Sequence, residues 1–120
     1  MKTASGKAKA RKLQQMVRDK ILEAFPMLEP DDCKSTSMGA GGEDVQLSPA
    51  ARRLFPYSVE CKARASISVY AWYQQAKTNA PKGMEPLLVI KQNYGKPLVV
   101  VDLDHYMELC KWPTMFYSQS

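Results

Sequence analysis

Three charged residues could do chemistry together: Asp44, and the pair Glu60 and Lys62 with one cysteine between them. Asp44 sits in an alternating run over 43–48, with Val45 and Leu47 on one face and Asp44 and Gln46 on the other. Residues 57–62 alternate again, setting Tyr57, Val59 and Cys61 against Ser58, Glu60 and Lys62. The apolar sides need a core, so the charged sides converge if the two strands pair with those faces aligned. Residues i and i+2 of a strand lie roughly 6.5–7 Å apart, so Glu60 and Lys62 can reach one ion or water. The same alternation puts Glu43 on the Val45 face and makes Asp44 the better ligand. Two carboxylates without a neighbouring histidine or thiolate form a hard oxygen site, suited to Mg²⁺ with Mn²⁺ as a substitute. A lysine beside such an ion can orient an attacking water and offset charge on a phosphoryl transition state. Those are the parts of a phosphodiester hydrolase. On spacing alone, the three also read as solvated charges on surface strands.

The elements that must position them follow from pattern. Leu13, Met16, Val17, Ile21, Leu22 and Phe25 recur at helical spacing, predicting an amphipathic helix from Lys9 to Phe25 that Pro26 stops. A short strand is expected over 33–37, then the glycine-rich stretch "SMGAGG", then the first alternating run. "SPAARRLFP" (48–56) connects it to the second, with room for one helical turn between Pro49 and Pro56. Residues 66–80 read as a helix with a Val69, Trp72, Tyr73, Ala76, Ala80 stripe. Leu87–Ile90 and Leu98–Leu103 read as two buried strands around the turn "NYGKP", and Asp104 as the cap of a last helix through Cys110. The order is α-β-β-β-α-β-β-α, an α/β or α+β domain with a mixed sheet flanked by helices. Residues 1–8 form a flexible basic lead-in, 9–111 the domain, and 112–120 a tail.

At 120 residues the chain can bury a core without a structural metal or disulfide. Cys33, Cys61 and Cys110 are odd in number and widely spaced, which reads as reduced thiols in a cytoplasmic protein. No signal peptide and no apolar run of membrane-spanning length is expected. The net charge of +5 is uneven: seven basic residues and one acid fall within the first 20 positions. That cluster fits a polyanion such as nucleic acid, or a solvated arm.

Asp44 after a glycine loop, a short connector, and ExK at the end of a strand followed by a helix resemble the PD-(D/E)xK nuclease superfamily. More narrowly, the chain resembles the small Holliday-junction-resolvase-like nucleases of archaea and bacteriophages. "SMGAGGEDV", "YSVECK", "WYQQA" and "PLLVIKQN" carry the likeness, which runs from about Arg18 to Leu109. The proline usual before the aspartate is missing, with Gly42 and Glu43 in its place. The resemblance implies a restriction-endonuclease-like core with a central sheet of about five strands. It implies Asp44, Glu60 and the main-chain carbonyl of Cys61 as metal ligands and Lys62 as the residue polarising water. It suggests Glu23 as an added acid from the first helix and Gln75 as a glutamine near the site; both also read as surface residues. Lys34, Ser37, Arg52, Arg53, Arg64, Lys91 and Asn93 are candidate DNA contacts, each alternatively a solvated side chain.

The leading reading is an Mg²⁺-dependent endonuclease for branched DNA, with no small-molecule substrate and no membrane partner. Paired cuts in a four-way junction call for a two-fold homodimer whose interface the sequence does not locate, the last strand, last helix and aromatic tail being candidates. The alternatives are a nuclease of this superfamily with another DNA substrate, an inactive DNA-binding relative, or a basic interaction module.

Overall fold

The computed structural model describes residues 2–36 and 42–118, apart from the side chains of 2–5 and 112–118. Helix α1 (Lys2–Ala24) lays Leu13 and Ile21 into the core, with Met16, Val17, Leu22 and Phe25 packed around them. It starts seven residues before the position its apolar stripe predicts. Residues 2–8 carry no apolar periodicity, but "KTASGKA" still has good helix formers.

After a 3₁₀ turn at Pro30–Asp32, strand β1 (Cys33–Ser35) pairs antiparallel with β2 (Val45–Leu47). Asp32 ties this hairpin to the helix after it. Its Oδ1 accepts from Ser48 Oγ at 2.6 Å and its Oδ2 from the Glu29 N–H at 2.7 Å. Those bonds, Ser48's first, hold the Asp32 carboxyl below its usual range. Ser48 in turn caps the short helix α2 (Pro49–Leu54) through the Ala51 N–H, with Pro49 in the first turn where its missing N–H costs nothing.

Strand β3 (Tyr57–Ala63) runs parallel to β4 (Glu85–Lys91) through the crossover helix α3 (Val69–Asn79), and β5 (Leu98–Val100) adds antiparallel to β4. Helix α4 (Leu103–Ser118) comes last. The core joins α1 to Val59, Cys61 and Ala63 of β3 and Leu87 and Val89 of β4. Ala76 of α3 is buried over the opposite face, where Leu88 and Ile90 point. Leu87–Ile90 is therefore covered on both sides, as its unbroken apolar run predicts.

Besides the lead-in, whose residues 2–8 belong to α1, three expectations need correction. The five strands form sheets of two and three rather than one central sheet. The reason lies at Asp44. Its N–H donates to the Val59 carbonyl at 2.8 Å, and its side chain then accepts the next free donor on that edge, the Cys61 N–H at 2.7 Å. A carboxylate thus takes the place a neighbouring strand's carbonyl would fill, and the ladder ends after one bond. Second, β5 is a three-residue edge strand with Leu98 and Val99 exposed, not a buried strand to Leu103. Third, residues 112–118 continue α4 instead of forming a separate tail. No helix among the described residues is long and apolar enough to cross a membrane.

Candidate active site

Asp44 is held by its backbone on both sides before its side chain does anything. Its carbonyl accepts from the Thr36 N–H at 2.9 Å, its own N–H is fixed on β3, and Thr36 Oγ1 donates to the Glu43 carbonyl at 2.8 Å. Gly42, at φ +87°, makes the turn that delivers this segment, a conformation that favours glycine.

Asp44, Glu60, Cys61, Lys62, Arg64 and Gln75 line one cavity of about 500 Å³ at the free edge of β3, closed by Gly6, Lys7, Ala10 and Gln14 of α1. Asn79 of α3 donates to Glu60 Oε1 at 3.2 Å, while Lys62 Nζ lies 3.6 Å from Glu60 Oε2. Glu60 is only 4% exposed. Burial pushes the Asp44 carboxyl above its ordinary range, against the pull of the Cys61 N–H and the Lys62 ammonium. Glu60 is raised too, first by burial and then by the charge on Asp44, with Asn79 and Lys62 opposing. Among the described residues Lys62 is the one cation within 4 Å of either carboxylate, and a divalent cation suits a site of this charge.

Among the described residues no group of three or more His, Cys, Asp or Glu gathers around a metal position. The available set is two carboxylates and a carbonyl. The Cys61 C=O lies on the same strand edge as its N–H, which faces Asp44, so it is on the side of the cavity. Few protein oxygens, with the remaining positions left to water and phosphate, is the pattern Mg²⁺ favours. The Cys61 thiol is buried and burial pushes its pKa far up, which removes it as a nucleophile.

Other expected site residues lie elsewhere. Glu23 is exposed near the C-terminal end of α1 and does not line the cavity. Of the α1 residues that do, Gln14 is the nearest in sequence, two and a half helical turns earlier. Gln14 is 4% exposed, and its Oε1 accepts from Ser35 Oγ at 2.8 Å, which leaves its amide donors for the cavity. Its signal was a polar residue beside Leu13 on the apolar stripe. Asn79 was also missed, and it lies on the same α3 face as Gln75 and Trp72.

Lys34 lies 3.8 Å from Asp31 and, with Arg11 and Arg18, rims an open groove of about 850 Å³. Lys91 and Asn93 line a separate cavity. Arg53 is exposed on α2, and Ser37 lies outside the described residues. Arg52 has a partner within the chain: its Nη2 meets Glu43 Oε2 at 3.0 Å, and Glu43 is 7% exposed. Each partner also leaves one buried atom unpaired, Arg52 Nη1 and Glu43 Oε1. Arg52 therefore neutralises a buried acid next to Asp44. Arg52→Ala should destabilise the fold by about 2 kcal/mol, below the usual cost for a fully buried pair because Arg52 is partly exposed. Urea unfolding checks this, with Arg53→Ala as the neutral control.

No family model matches the chain, and comparison with curated proteins and with solved structures finds no match. The site is therefore read from its own residues.

Proposed function

We infer that the chain is a metal-dependent endodeoxyribonuclease for branched DNA, working as a two-fold pair in the manner of a Holliday-junction resolvase. One observation carries this: Asp44, Glu60 and Lys62 share a single cavity at an open sheet edge, and both carboxyls are raised by burial. A bound Mg²⁺ or Mn²⁺ would supply Lewis-acid charge to a phosphodiester and lower the pKa of a water. The residues do the rest. The Cys61 N–H fixes Asp44 Oδ2 and leaves Oδ1 for a cation; the Asn79 amide fixes Glu60 Oε1, and a cation would share Oε2 with Lys62. Lys62, held against Glu60 Oε2, orients the attacking water and offsets charge building on the phosphate. Gln14 and Gln75 offer amides to phosphate oxygens or water. Lys7 and Arg64 at the rim position the backbone without reading sequence, so selectivity comes from DNA shape. The exposed apolar side of α4 supports the pairing of two copies.

The test is cleavage of a synthetic four-way junction and a matched linear duplex in Mg²⁺, Mn²⁺ or EDTA, with wild type and Asp44→Asn. Paired symmetric nicks confined to the junction, absent in EDTA and with asparagine at 44, are expected. Cutting of both substrates would keep the metal site and discard junction selectivity. Tight binding without cutting would leave a DNA-binding protein with an inactive site.

A further inference from the structure

We propose that Tyr94, at the tip of the β4–β5 turn, stacks on an unpaired base and so selects DNA whose base stacking is interrupted. The proposal rests on the nuclease reading only for the identity of the polymer; the tip itself is argued from its own geometry. Gly95 N–H donates to the Gln92 carbonyl at 2.9 Å, closing a four-residue turn with Asn93 and Tyr94 at its centre. Tyr94 has φ +64°, the left-handed region, at the turn position that normally takes glycine or asparagine. Asparagine and glycine flank it on either side, yet the strained site holds a large aromatic ring. Nor is the ring used in packing, since Tyr94 is fully exposed at 104%. An aromatic that is both strained and bare does nothing for the fold, and such outliers concentrate at functional sites.

Its surroundings identify the partner. Tyr94 lines a cavity of about 440 Å³ together with Lys9, Lys12, Lys91 and Asn93. Lys9 Nζ donates to Asn93 Oδ1 at 2.9 Å, clamping the turn onto α1. Ala63 lines both this cavity and the one holding Asp44 and Glu60, and the Arg64 N–H bonds the Lys91 carbonyl at 3.1 Å. The two cavities are therefore neighbours across one strand end. Lysines track phosphates, and an aromatic ring beside them stacks on bases, the combination that binds strands with exposed base faces. An intact duplex offers no such face. A branch point, flap or gap does, and Tyr94 would meet it next to the scissile phosphate.

The experiment measures binding in EDTA, so no cleavage is needed, using a four-way junction and a linear duplex carrying 2-aminopurine at the crossover or the matching position. Wild type should quench the junction probe, and Tyr94→Trp should keep both quenching and affinity. Tyr94→Ala should lose quenching and bind the junction about tenfold more weakly, with duplex affinity within roughly twofold of wild type. Tyr94→Gly separates strain from contact: it should melt at a higher temperature than Tyr94→Ala yet bind the junction no better. Unchanged junction binding by Tyr94→Ala, or equal losses on both DNAs, would overturn the proposal, as would a wild-type preference for single-stranded RNA over the junction. Cleavage that survives Asp44→Asn would instead sink the metal-site reading and leave these binding results standing.

Discussion

Glu60→Gln should abolish DNA cleavage and at the same time raise the melting temperature of the metal-free protein. Both effects come from one carboxylate. Glu60 is buried against Asp44 with a single lysine for compensation, so in the absence of a cation its charge opposes folding. Glutamine keeps the shape and can still accept from Asn79, while removing the repulsion. A gain of about 1 kcal/mol corresponds to roughly 3–6 °C for a chain of 120 residues. Losing a cation ligand should cost about 4 kcal/mol of transition-state stabilisation, roughly 10³-fold in rate.

The sign of the pH dependence follows from the same shifts. Asp44 and Glu60 hold their protons more tightly in the folded protein than in the unfolded chain. Their contribution to stability is therefore complete below the unfolded carboxylate range, near ~4, and is lost as pH rises through the raised folded values. Metal-free wild type should lose stability over that window, and Glu60→Gln should flatten the loss. Adding Mg²⁺ at neutral pH should reverse it for wild type, by about 2.7 kcal/mol at a hundredfold excess over Kd, and leave the variant nearly unmoved. Thermal melts across pH, with and without Mg²⁺, test all of this. A variant that melts below wild type without metal, or gains as much from Mg²⁺, would mean Glu60 is a structural acid and not a cation ligand.

What the sequence made legible was the period-2 pattern around Asp44 and Glu60. Burial of Val45, Leu47, Val59 and Cys61 fixes which side chains turn towards the core, and pattern alone supplies that. Pattern could not supply partners that depend on tertiary distance. Glu23 and Gln14 are both polar residues of α1, and which one faces the cavity depends on where the helix crosses β3. Arg52 looked like a free cation because its partner, Glu43, lies nine residues away on another element. The division into two sheets was invisible for a related reason: it turns on a side-chain carboxylate, Asp44, occupying a backbone position. The bond between Tyr57 Oη and His105 Nε2, at 2.6 Å across 48 positions of sequence, is another partnership that tertiary distance sets.

Placing glutamate at Leu103 and Met107 should convert a dimer to a monomer without harming the fold. Among the described α4 residues every one except His105 is exposed, and His105 bonds Tyr57 of β3. Such a helix is marginal in water unless its apolar side is covered. Leu103, Tyr106 and Met107 fall on one side of it at 72%, 54% and 49% exposure, and Leu98 and Val99 of the edge strand precede them closely. With Leu109 these residues form an exposed apolar patch, and a stable interface takes ~800 Å² from each partner. The charges favour a second copy. Asp102 and Asp104 stand at the start of the helix and Lys111, 3.0 Å from Glu108 of its own chain, lies further along it, so two antiparallel helices bring the acids of one towards the lysine of the other. Sedimentation should give twice 13.5 kDa for wild type and the single value for the double variant. The variant should keep its Mg²⁺-dependent gain in melting temperature, because no described α4 residue lines the cavity of Asp44 and Glu60. Its nicks in a four-way junction should become single and uncoupled, since the second active site is no longer held in register with the first. A wild type that sediments as a monomer would assign this face to a different partner and remove the two-fold element from the proposed mechanism.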